Sequence, residues 1–255
     1  MTAPQPDAGL PFFLFLAAQE IRATMRETGD VYQAAEDANA SPGTLVDALS
    51  AAFDRLERRY GTTLVAEAAT LLGCSRAGLR EDEVLDALAR TPSLANMPPT
   101  EWSSLRGELE AYCWPVDRLP GEPVLCFFQP TFRAAAMRRY ADEAPERRAQ
   151  HLRVAAMFAD PDLEPSHRNV AEVLWGLREG RDWNALRGHL TNPRVHASLW
   201  NEDTQIELAN HWEALLRGEQ HLVNARNATL VPGPGGAMVP PPSRRARRRR
   251  GDGVR

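Results

Sequence analysis

The sequence predicts a mainly α protein with one β-hairpin about halfway along and a short, solenoid-like run of α-hairpins after it. Three observations predict this. Apolar residues recur at three- and four-residue spacing through most of the chain up to Leu216. One stretch, Val116-Asp-Arg-Leu-Pro-Gly-Glu-Pro-Val124, has the form strand, Pro-Gly turn, strand. From Ser166 onward, helical segments of similar length alternate with short loops.

Taken in order, Gly9-Leu-Pro11 opens a helix with proline in its first turn, running to about Met25 before Gly29. It is apolar nearly all round at first, so it needs burial on several sides. A weaker helical piece covers 31–40 and is broken by Ser41-Pro-Gly43. The clearest helix is 44–60: Leu45, Leu49, Ala52, Phe53, Leu56 and Tyr60 share a face, with arginines and acids opposite, and Gly61 ends it. Residues 9–61 form a helical domain on this reading. The next unit, 62–144, holds a helix marked by Leu64, Val65, Ala68, Leu71 and Leu72 and closed by Gly73, then a helix at 81–88. A third covers 100–112, capped by Thr100 and stopped by Pro115. The hairpin follows, then a new helix from Thr131, and three helices closed by a hairpin are a winged helix. Residues 145–230 read as a helical arm of TPR-like helix pairs, after an opening helix at 145–158. Its segments are 170–180, 182–190, 193–199 and 203–216. Residues 231–255, rich in Pro, Gly and Arg, have nothing to bury and are expected to be disordered.

The 255 residues suffice for one large or two modest domains, and 43% hydrophobic with 25% charged residues is ordinary for a globular protein. All 30 basic residues are arginine. A Walker A loop and Schiff-base chemistry both require lysine, so neither is available to this chain. The longest apolar run, 10–18, is too short to span a bilayer and lacks the flanks of a secretory signal. Three cysteines without a C-x-x-C fit reduced thiols in a cytoplasmic protein. No H-E-x-x-H and no paired histidine spacing indicates a metal site, and no Gly-x-Ser-x-Gly indicates a serine hydrolase.

With these pieces in place the chain resembles the portion of a NACHT-type STAND NTPase that follows its nucleotide-binding core. Gly9-Leu-Pro11 before a greasy helix resembles the family's Gly-x-Pro motif. The helix at 45–60 with Gly61 resembles the lead into the winged helix, and Leu79-Arg-Glu-Asp-Glu-Val-Leu85 its second helix. Phe127-Phe-Gln-Pro-Thr-Phe-Arg133 resembles the Phe-Phe-His-x-x-Phe segment. Trp175-Gly-Leu to Leu190-Thr-Asn, around Asp182-Trp183, resembles the arm of bacterial and animal members. The likeness covers roughly 9–216. It implies a non-catalytic regulatory segment that packs on an NTPase core, in cis or in trans, and relays its nucleotide state to protein partners. No cofactor is expected in isolation, and ATP or ADP only where a core is supplied, as after truncation of a longer chain. Pro11 is then placed near the nucleotide base, and Gln129 near the phosphate, where the family carries histidine. A glutamine amide donates a hydrogen bond but brings no positive charge.

Other readings of the same residues stay open. Pro11 also reads as a plain helix-start proline and Gln129 as a polar strand end. Phe127, Phe128 and Phe132 read as core, and Trp183, Trp200 and Trp212 as helix packing. A DNA-binding winged helix is the first alternative, but the helix at 100–112 carries Glu101, Glu108 and Glu110 against Arg106 alone, and phosphate repels it. A stand-alone helical interaction scaffold is the second. Nucleic acid or another polyanion has one candidate site, Arg244, Arg245, Arg247, Arg248, Arg249 and Arg250 in the tail, which reads equally as a solvated end.

Overall fold

The computed structural model describes residues 11–30, 32, 33, 36, 44–116, 123–127, 129–159, 166–199 and 205–230, with the backbone alone at 27, 114–116 and 224–230. The expected Pro-Gly turn, Phe128, Trp200, most of the 31–40 stretch and the whole of 231–255, with the arginines of 244–250, lie outside these residues. Among the described residues the chain is mainly α, with eleven helices and one antiparallel pair of strands. In chain order these are α1 (Pro11–Thr28), α2 (Leu45–Tyr60), α3 (Thr62–Cys74), α4 (Glu81–Ala89), α5 (Pro99–Leu109), β1 (Cys113–Val116), β2 (Val124–Phe127), α6 (Pro130–Tyr140), α7 (Ala144–Phe158), α8 (His167–Gly180), α9 (Trp183–Leu190), α10 (Pro193–Leu199) and α11 (Gln205–Leu230). No helix of the described residues is long and apolar enough to cross a membrane.

The amphipathic pattern of α2 does what its spacing predicts. Thr44 caps the helix by accepting the Asp47 N–H at 3.2 Å. Leu49, Ala52, Phe53 and Leu56 enter a core shared with α3, α5 and α6. Gly61 (φ +82°) is the single residue between α2 and α3; it ends the one and starts the next. The arm's helices pack closely because glycine removes side-chain bulk. On α8, a Cβ at Gly176 would lie 2.7 Å from Ala155 Cβ, and one at Gly180 2.5 Å from the Leu152 side chain, so α7 and α8 run antiparallel with backbones nearly touching.

Two expectations are corrected. Thr100 does not cap α5: the helix starts at Pro99, whose fixed φ suits a first helical residue, with the extended Pro98 as its N-cap. Its last residue is Leu109, capped by Glu110, and Pro115 lies inside β1 rather than stopping a helix. The strand tolerates proline there for a geometric reason. Pro115 faces Leu125, whose own N–H and C=O point the other way, to Leu79, at 2.7 and 3.0 Å. The missing donor of Pro115 is therefore not needed. Second, α11 continues to Leu230, well past the expected end at 216. Gly218 lies inside the continued helix, where it makes room for the Trp183 indole.

Gly78 (φ +97°) sits where the turn after α3 passes β2, and a Cβ on it would lie 2.5 Å from Leu125 O. Gly78→Ala is expected to cost about 1–3 kcal/mol of stability through strain and displaced backbone, read as a lower urea midpoint at unchanged slope.

Candidate functional site

Pro11 and Gln129, far apart in sequence, line one cavity of about 510 Å³. The first turns of α1 contribute Pro11, Phe12, Phe15 and Gln19. The end of α5 and the start of β1 contribute Glu110, Ala111 and Cys113. Phe12 and Phe15 lie three apart on α1, so their rings stack, 6.2 Å between centroids. Gln129 reaches the wall because it is the N-cap of α6: its carbonyl accepts the N–H of Phe132 at 3.1 Å and of Arg133 at 3.2 Å, and its side chain takes no part in the cap.

The chemistry of this cavity is apolar with amide and carboxylate edges. No arginine lines it among the described residues. Burial pushes the Cys113 thiol far above its usual range, so it is a neutral thiol and no nucleophile. Among the described residues its lining offers apolar surface, two glutamine amides and a carboxylate, and no positive charge that could meet a phosphate.

A buried charge network holds α1 in place beside it. Arg55, 5% exposed, donates from Nε to Glu20 Oε2 at 3.1 Å and from Nη1 to Glu108 Oε2 at 3.1 Å. The Tyr112 hydroxyl donates to Glu20 Oε1 at 3.3 Å. Three helices and the start of the hairpin thus share one guanidinium. Its partners hold the Arg55 pKa above the ordinary arginine value against burial, the largest influence, which acts to lower it. Sequence reading assigned Arg55 to the polar face of α2. Its position between Ala52 and Leu56 on a helix is the signal that could have placed it inside.

Of the other expected residues, Phe127 and Phe132 are core, 6% and 1% exposed, and Trp183 packs on α11. The charges of α5 are paired within the fold: Glu108 with Arg55 and Arg59, and Arg106 with Glu81. Glu110, which follows the helix, is exposed and lies 3.6 Å from Arg106, and Glu101 is exposed in the first turn.

No family model matches the chain, and no solved structure matches it. A TPR repeat-containing protein of Dictyostelium discoideum is 25% identical over 166 residues, which is 64% of this chain and 9% of that protein. The chain therefore spans about a tenth of the length of this curated relative.

Proposed function

We propose that the chain is a helical protein-interaction module whose arm, α8 to α11, receives the partner. The observation that carries this is the outer side of α11. Leu208, His211 and Leu215 pack inward, while Ile206, Leu216 and Val223, away from that stripe at 100° per residue, are 52–69% exposed. An apolar outer helix at the end of stacked helix pairs is the kind of surface another protein covers. The likeness to a TPR repeat-containing protein supports the same reading. Capture of a partner by the full chain tests it: Leu216→Arg with Val223→Arg abolishes capture at unchanged helix content, and adding ATP or ADP changes nothing. Equal capture by the double variant refutes it.

A second reading, a regulatory segment of a NACHT-type NTPase, is favoured by the convergence of Pro11 and Gln129 on one cavity. On this reading the chain is not itself an enzyme and hydrolyses no ATP alone. It contacts nucleotide only together with a separate core, and Gln129→His tightens that contact by restoring a donor able to carry charge. ATP turnover by the purified chain rules the reading out. The paired charges of α5 weigh against DNA as the partner of this module.

A further inference from the structure

The turn between α3 and α4 is tied by side chains and strands from four other elements. Arg133 of α6 donates to Gly73 O at 2.7 Å and to Ser75 O at 2.6 Å. Glu172 of α8 accepts the N–H of Arg76 at 2.8 Å and of Ala77 at 2.6 Å. Arg168, also on α8, donates to Gly78 O at 3.0 Å and pairs with Glu83. Leu79 exchanges two backbone bonds with Leu125 of β2, and the Arg76 guanidinium pairs with Glu207 of α11 at 2.5 and 2.6 Å.

Glu172 is 0% exposed, so its two acceptor oxygens have no water to fall back on. Both oxygens accept main-chain N–H groups, the arrangement of a carboxylate rather than a neutral acid. The same turn reaches the cavity by a short path. Gln129 caps α6, and one turn on, Arg133 lies with its guanidinium 5.6 Å from the Trp175 ring of α8. The cavity wall, the turn and the arm are therefore joined by one continuous run of hydrogen bonds and a ring contact, in which the fully buried Glu172 has no water to turn to.

We infer that the 73–79 turn is a coupling joint between the Gln129 wall of the cavity and the arm. A displacement at one is passed to the other, and the arm is presented to its partner in an orientation the cavity can change. The regulatory consequence rests on the proposed partner-binding role of the arm; the joint itself does not.

Hydrogen exchange on the full chain tests it. In Glu172→Gln the amide nitrogen of the new side chain meets a main-chain N–H, so the Arg76 and Ala77 amides exchange about tenfold faster. The increase extends to the Leu125 amide and the first turn of α6. Coupling is reciprocal, so Arg133→Gln speeds exchange around Trp175 in α8. Arg217→Gln, on an exposed pair of α11, changes none of these sites. Exchange that rises only at 76 and 77, or an α8 indifferent to Arg133→Gln, overturns the inference. Should Glu172→Gln not fold, Arg76→Gln removes the Glu207 pair alone, and the same spread toward α6 is required. Failure of the unaltered chain to capture any partner, with exchange in the variants spreading as stated, defeats the interaction reading and leaves the joint. Local exchange with intact capture does the reverse.

Discussion

Replacing Phe132 by alanine is expected to lower the free energy of unfolding by about 3–5 kcal/mol, the usual cost of emptying a large aromatic site in a core. Phe132 is the meeting point of three rings: Tyr112 stacked at 4.6 Å, and Phe53 and Phe127 each at 4.9 Å. Those rings come from α2, the exit of α5, and β2, so no single element can shift to fill the space. Tyr112 is further held by its bond to Glu20. Urea denaturation followed by circular dichroism measures the loss, and a change under about 1 kcal/mol would show that the site collapses freely.

Arg55→Met is the second large effect, also about 3–5 kcal/mol, because it leaves two poorly solvated carboxylates facing one another. Glu20 is 20% exposed and Glu108 12%. The loss concerns α1 first, since this network is its polar attachment to α2 and α5. Trypsin should then cut after Arg22 and Arg26 well before it cuts at the arginines of α2 to α10, and faster than it does in the unaltered chain. Adding Glu20→Gln removes one of the two charges, so the double variant is more stable than the sum of the single losses predicts. Strict additivity would mean that the two residues do not interact in the native state.

How much of this was legible depends on whether a residue's role is local. The α2 helix, the hairpin and the α9 and α10 segments follow from spacing, capping and turn residues a few positions apart, and they were readable. Pro115 was misread because its tolerance depends on which side Leu125 turns its N–H, a fact set by Leu79 many residues earlier. The last helix was ended at 216, and the seat that Gly218 gives the Trp183 indole two residues further on is visible only once Trp183 is brought beside it. Glu172 carried a visible signal: an acid inside the run Val170-Ala-Glu-Val-Leu174 is hemmed by apolar neighbours on both sides and calls for a buried partner. That the partner is a pair of main-chain N–H groups could not be read from residue types. In the candidate cavity, Pro11 and Gln129 were named from the family resemblance, whereas Cys113, Glu110 and the Arg55 network were not.

Gly61 carries a consequence for how this protein can be divided. A boundary at 61/62 separates two units on paper, yet one residue serves as the end of α2 and the start of α3, and its carbonyl accepts the Val65 N–H at 3.3 Å. With a single hinge residue, both helix axes are set by one pair of backbone angles, and an inserted residue would add a second pair and release the angle between α2 and α3. A fragment beginning at Thr62 would lose that carbonyl and expose the faces of α3 and α6 that Phe53 and Leu56 cover. Recombination, truncation and tagging should therefore succeed in the longer loops and fail here, where the chain has no slack.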